Sequence, residues 1–327
     1  MTSFQWKNLS KPFFCLAPLA GISDSAFRQI CKECGADIVL TEMVSAEGLS
    51  RKQPKTLDLI RFSPKERPII LQLFGKNPES FGRAAEVIEN LLPQEKPDGI
   101  DLNLGCPSRK VKSHGSGITL MRDPDLVNKI IAAINTNTDL PLSIKIRAGI
   151  KKEKITASKF ISQINWRKLT AISVHGRYLE QGFSGAVDYL EIKKIKEIVG
   201  NKIVIGNGGI KDLKSAKIML EKTKVDGLMI GQGALGRPWI FEEIKKASAE
   251  VFPPPLLNII KIALKHTHLI IKLKGEEKGM REMRKHLLWY FRGFTQAKKI
   301  RQELVRVQSL NELKGIFGKL NADLSLS

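Results

Sequence analysis

Gly99-Ile100-Asp101-Leu102-Asn103-Leu104-Gly105-Cys106-Pro107-Ser108 is an apolar, strand-like run that stops at a Gly-Cys-Pro turn. A stiff turn built from Gly and Pro lifts the Cys106 thiol, with Asn103 just inside the strand end, to the rim of whatever sheet the strand joins. A thiol so placed can attack an electrophile or donate a proton. On this stretch alone a small residue filling a tight turn reads equally well. Working outward, seven more runs of the same kind stand at Phe13–Ala17, Asp37–Met43, Ile69–Phe74, Leu142–Arg147, Ala171–His175, Ile203–Asn207 and Gly227–Ile230. Between them, Ser23–Gly35, Glu79–Leu92, Pro124–Ile134, Ala157–Ile164, Tyr189–Val199 and Leu213–Glu221 carry apolar residues at helical spacing, several behind cap candidates such as Asp123 and Asp212. Strand–helix alternation repeated eight times, with continuously apolar strands, predicts an α/β fold: a parallel (β/α)8 TIM barrel. An open doubly wound sheet is the competing architecture, weakened because no Gly-x-Gly-x-x-Gly follows the first strand.

A barrel places functional side chains where strands end. The ends here read Ala17-Pro18-Leu19-Ala20-Gly21, Gln72-Leu73-Phe74-Gly75, Asn103 to Cys106, Lys145-Ile146-Arg147, His175-Gly176-Arg177, Asn207-Gly208-Gly209 and Gly231-Gln232-Gly233. The glycine-rich turns after the seventh and eighth strands suit a phosphate, held by backbone N–H groups. Gln72, Asn103 and Lys145 would ring a flat, hydrogen-bonding heterocycle, with the lysine facing negative charge. Phosphate plus such a ring over a barrel mouth is the profile of a flavin mononucleotide (FMN) site.

The barrel is expected to close near Pro238-Trp239-Ile240-Phe241, giving a catalytic domain over 1–243 and a small all-α domain over 244–327. Val251-Phe252-Pro253-Pro254-Pro255 reads as a stiff linker. Helical patterns follow at Leu257–Lys272, Gly279–Thr295 and Ile300–Val307. Residues 241–327 hold 17 Lys/Arg against 9 Asp/Glu, and Met280 to Tyr290 puts bases beside aromatics on one helix. Over all 327 residues Lys and Arg outnumber Asp and Glu 54 to 33, a net +21. Such a surplus points to a polyanion, nucleic acid before anionic membrane. A hydrophobic share of 42% excludes a disordered chain. Four cysteines suggest a reducing compartment, and the Cys31–Cys34 pair lacks partners at zinc spacing, so no metal is expected. No signal-peptide layout or membrane-length apolar run stands out, so the expectation is a soluble cytoplasmic protein, acting as a monomer.

Leu16–Arg28, Asp101–Val111, Ser143–Gly149, Val174–Arg177 and Asp226–Phe241 together resemble the motifs of tRNA-dihydrouridine synthases, most of all their bacterial B-type branch. The resemblance runs over nearly the whole chain. It implies an FMN enzyme that reduces D-loop uridine of tRNA to 5,6-dihydrouridine with NADPH as donor. By motif, Cys106 corresponds to the acid that protonates C5 while hydride reaches C6, and an ordinary thiol, with a pKa of about 8.5, is mostly protonated at neutral pH. Lys145, Gln72 and Asn103 correspond to flavin or substrate contacts, as do Ala17, Pro18 and Leu19. His175 corresponds to a flavin contact, and Asn207, Gly208, Gly209, Gly231 and Gln232 to the phosphate pocket. Arg109, Lys110, Arg147, Arg177, Arg281, Arg284 and Lys285 are the expected substrate or tRNA contacts.

Two positions depart from the family pattern. Gln232 stands where relatives commonly have Arg, which would leave the phosphate to backbone amides and His175, and Gly209 stands where an acidic residue is usual. Two other functions fit the same residues: a small-molecule FMN reductase or dehydrogenase on this barrel, and a catalytically impaired tRNA-binding protein.

Overall fold

In a computed structural model, residues 4–246, 254–292 and 297–325 are described, with side chains described as far as residue 320 and not for 297–299. The eight expected strands form, as β1 (Phe13–Leu16), β2 (Ile38–Leu40), β3 (Ile69–Phe74), β4 (Gly99–Leu104), β5 (Leu142–Lys151), β6 (Ala171–Tyr178), β7 (Ile203–Asn207) and β8 (Gly227–Ile230). Each pairs in parallel with the next, and β8 returns to β1 in the register Phe13↔Gly227 to Leu16↔Ile230, so the sheet closes into a barrel. The helices between strands start on the predicted chemistry. Asp24, Asp123, Asp188 and Asp212 each accept a backbone N–H from the first turn of the helix they precede.

Because side chains alternate along a strand, residues two apart line the same surface of the barrel. Toward the N-terminal ends, Trp6, Phe13, Cys15, Ile38, Ile70, Ala171, Ile203, Ile205 and Met229 pack into one apolar cluster. Toward the C-terminal ends the register changes character: Gln72 lies beside Asp101, Asn103 beside Lys145, Arg147 beside His175, and His175 beside Asn207. The apolar layers hold the barrel shut by burial, while the polar layer crowns it.

Some elements lay beyond the sequence pattern. Two short helices, Ala46–Ser50 and Pro54–Ile60, fill the β2–β3 connection. β5 runs past Arg147 to Lys151 and folds back against Ile155–Thr156. The polar Lys151–Lys154 stretch carries no apolar signal that would announce that hairpin. The C-terminal helices span Leu256–Lys274, Glu276–Tyr290, Ala297–Leu304 and Leu310–Ser325, the last unanticipated. Val251–Pro253 of the expected linker, and the end of the helix expected to reach Thr295, lie outside the described residues.

These helices share an apolar core, with Ile259, Ala263, Met280, Met283, Leu287, Tyr290 and Phe317, that also takes in Ala26 and Trp239 from the barrel side. The seam between them is tight. Gly236, at φ +68, sits so close to the Glu276–Tyr290 helix that an added Cβ would fall 2.2 Å from the carbonyl carbon of Trp289. Across the seam Lys274 bridges Asp24 (2.5 Å) and Glu282 (2.6 Å), and Lys265 meets Glu33 at 2.7 Å. His266 and His286 are buried there with ring centroids 4.6 Å apart.

Candidate active site

Gly105-Cys106-Pro107 follows β4 and is tied down by its own strand. The Asn103 Oδ1 accepts the backbone N–H groups of Cys106 (2.9 Å) and Gly105 (3.2 Å). On the other side Arg147 Nε donates to the Gly105 carbonyl at 3.0 Å. Cys106 is therefore held, half-buried, on a turn gripped from two strands, and its thiol forms no disulfide. Below it, Asn103 Nδ2 donates to Gln72 Oε1 (2.8 Å), and Gln72 Nε2 donates to the buried Asp101 carboxylate (2.8 Å).

Lys145 reaches across the barrel top to Asn207 Oδ1 at 3.1 Å, while Asn207 Nδ2 anchors on the Met229 carbonyl at 2.6 Å. Burial, then the neighbouring Arg147, brings the Lys145 ammonium down to about 8, still mostly cationic at pH 7. Burial, and next Arg177, brings Arg147 down to about 10. His175 is held neutral by burial and by the charges of Lys145, Arg147 and Arg177. None of these three cations makes an ion pair among the described residues. Cations crowded in a poorly solvated place without carboxylate partners make a site for an anion.

The glycine turns fit that reading. Gly208 has φ +101, and a Cβ there would lie 2.5 Å from the His175 ring, so only glycine lets the turn after β7 close on this histidine. The Arg177 guanidinium stands over the same turn, 3.4 Å from His175 Nε2 and near where Cβ atoms of Gly208 and Gly209 would be. Gln232 is exposed, and a guanidinium is found beside the glycine turn after β7 from Arg177 of β6. On the first loop Ala17 and Leu19 lie where a Cβ added at Gly231 would touch them, at 3.4 and 3.5 Å, with Pro18 half-buried between them. The donor set (backbone amides, His175, Arg177, Lys145 and the two amide side chains) matches a phosphate joined to a flat ring with carbonyl and N–H edges.

The remaining expected contacts divide. Arg109 and Lys110 are exposed on the short helix after the Cys106 turn, and Arg281 is exposed on the Glu276–Tyr290 helix. Arg147 is buried and also holds the Gly182 carbonyl at 2.7 Å. Arg284 donates to the Val307 carbonyl at 2.9 Å, inside the helical part, and Lys285 hydrogen-bonds the Gly21 carbonyl on the barrel rim. The last two thus serve the fold as placed. Sequence reasoning missed Glu42, whose carboxylate takes the Gly21 N–H, and the Asp101–Ser143 pair (2.7 Å). The alternation Asp101-x-Asn103 on one strand was the available signal, since it puts both on one face. Among the described residues no group of three or more His, Cys, Asp or Glu could hold a metal, and no helix is long and apolar enough to cross a membrane.

The chain matches the profile of the dihydrouridine synthase (Dus) family over residues 15–322. It is 35% identical over 319 residues to a probable tRNA-dihydrouridine synthase of Mycobacterium tuberculosis, covering 94% of this chain and 81% of that protein. It is likewise 35% identical over 300 residues to tRNA-dihydrouridine synthase B of Pseudomonas aeruginosa, covering 90% and 88%. Among solved structures, histamine dehydrogenase from Rhizobium sp. 4-9 overlays on 78% of this chain and 45% of its own, with TM-score 0.48 and 14% identity, a likeness too loose to inform the chemistry. With the profile spanning barrel and helices alike, the chain belongs to the dihydrouridine synthase family.

Proposed function

We propose that this protein reduces uridine in the D-loop of tRNA to 5,6-dihydrouridine, with FMN as its cofactor and NADPH as electron donor. The observation that carries the reading is the Cys106 turn, fixed by Asn103 and Arg147 beside a mouth of cations without acidic partners. When bound, reduced FMN supplies the hydride that adds to C6 of uracil. Cys106 gives its thiol proton to C5, so the C5=C6 double bond becomes single and the thiolate left behind is reprotonated from solvent. Lys145 keeps a positive charge against the negative charge that develops on the ring edge. Arg177, His175 and the Gly208–Gly209 turn hold the phosphate, and Gln72 and Asn103 orient the uracil against the flavin. Residues 1–243 do this chemistry, while 244–327 and the exposed Arg109, Lys110 and Arg281 grip the tRNA backbone. Taking the uridine out of the stack costs about a few kcal/mol, which a basic surface offsets.

The test is mass spectrometry of nucleosides from unmodified tRNA incubated with protein, FMN and NADPH. A gain of two hydrogens on D-loop uridine, absent with Cys106→Ala, is expected. A yellow protein that oxidises NADPH yet leaves every uridine unchanged would replace this reading with a small-molecule reductase.

A further inference from the structure

The polar layer contains one acidic group that the reaction above leaves without a task. Asp101 is 1% exposed and accepts from Ser143 Oγ (2.7 Å) and Gln72 Nε2 (2.8 Å). Gln72 Oε1 accepts from Asn103 Nδ2 (2.8 Å), and Asn103 Oδ1 accepts from the amides of Gly105 and Cys106. An amide side chain can be turned either way, so its direction must be set by what it meets. Here both ends of the chain are one-sided. A carboxylate only accepts, and backbone N–H groups only donate. Every amide between them therefore has one consistent orientation. Asn103 spends both lone pairs of its oxygen on the Cys106 turn and one of its two N–H groups on Gln72. What remains to it is a single donor.

We propose that Asp101 is a positioning residue for uridine reduction: its carboxylate sets the direction of the Gln72 and Asn103 amides, so that Asn103 holds the Cys106 turn and offers the ligand only an N–H. The group Asn103 recognises is therefore a carbonyl-type acceptor, of the kind that uracil and flavin rings both carry. This rests on the dihydrouridine synthase reading above.

A charge-relocation cycle tests it. In Asp101→Asn an amide of the same size can show Gln72 either face, and the Ser143 hydroxyl fits both, so the chain is left fixed from the backbone end alone and the preference for its direction is weakened without a cavity. Adding Gln72→Glu puts an acceptor-only group one step along the chain, where it again compels the Asn103 N–H toward position 72. Reduced enzyme is mixed with tRNA in single turnover and dihydrouridine is followed by mass spectrometry. Flavin content and NADPH-driven flavin reduction are measured beside it. Asp101→Asn is expected to slow the uridine step about 10- to 100-fold while flavin content and reduction stay within about threefold, and the double variant is expected to recover about tenfold. Three results would overturn the proposal: a uridine step within about twofold of wild type, equal slowing of both half-reactions, or no recovery in the double variant. Dihydrouridine from the wild-type arm separates these from failure of the functional reading, because its absence there would defeat that reading first.

Ser143→Ala gives a second route that leaves the Asp101 carboxylate in place. Burial raises the Asp101 carboxyl to about 6, opposed by its bonds to Gln72 and Ser143 and by the charge of Lys145, with Cys15 across the barrel the other titratable neighbour. The wild-type uridine step should fall as pH drops through about 6, and removing the Ser143 bond should move that fall to higher pH. An acid limb at the same pH in both proteins would refute the role.

Discussion

The barrel mouth and the seam beneath the C-terminal helices both gather lysines, arginines and histidines, and they treat them in opposite ways. At the seam Lys274 is paired with Asp24 and Glu282, and Lys265 with Glu33, while Lys285 rests on the Gly21 carbonyl. At the mouth Lys145 leans on an amide oxygen and Arg147 on carbonyls; burial lowers both, with Arg147 lowering Lys145 further and Arg177 lowering Arg147. Paired charges are finished within the fold. Unpaired, poorly solvated ones cost stability and are settled only when an anion arrives. The contrast separates structural from functional cations better than counting positive residues does.

The largest effect expected at the mouth comes from Cys106→Ala, which should slow dihydrouridine formation about 10²- to 10⁴-fold, the usual share of a positioned acid. Retained flavin and tRNA binding would show that only the proton was removed. Unchanged turnover would remove Cys106 from the mechanism. At the seam, Gly236→Ala adds a methyl against backbone at a positive φ and should cost about 2–4 kcal/mol in urea unfolding, with the mouth's chemistry per folded molecule unaltered.

Acid should find the seam as well. Burial lowers His266 from its ordinary 6.5 to about 4, with Lys274 and Lys285 adding to the effect and Asp24 opposing it; His286 is lowered further for the same first reason. The unfolded chain takes up these protons first, so stability is whole above about 6.5 and drains as pH falls toward 4, by about 3 kcal/mol for His266 alone. Chemical denaturation at a series of pH values measures this, and a flat profile would mean the histidines are charged in the fold.

The smallest and sharpest comparison is Lys274→Ala against Lys145→Ala. The first strands the Asp24 carboxylate and should cost about 1–3 kcal/mol without touching flavin retention. The second should weaken flavin retention while leaving stability equal or higher. Equal stability losses in both would erase the distinction.

The barrel was legible because its evidence is repetitive. Ile69–Phe74, Gly99–Leu104, Ile203–Asn207 and Gly227–Ile230 fall where the apolar runs placed them, and Tyr189–Val199 where its helical spacing did. What escaped was set by tertiary contact. β6 continues through Gly176 and Arg177 to the buried Tyr178, and the Leu310–Ser325 helix gains its core only by packing on its neighbours. The site divides the same way. Strand ends pointed to Cys106, Asn103, Lys145, His175 and the glycine turns. The buried role of Arg147, the inward bond of Arg284 and the place of Arg177 over Gly208 depend on distances between strands that no spacing along the chain encodes.

The close approach of Gly236 to Trp289 has one more consequence. With backbone against backbone there is no slack at this point for the helices to shift over the barrel, so a tRNA gripped on their face, as proposed above, would meet the Cys106 thiol across a fixed length. The protein would then choose its uridine as a caliper does, by reach from a landmark on the folded RNA, and not by reading the bases around it.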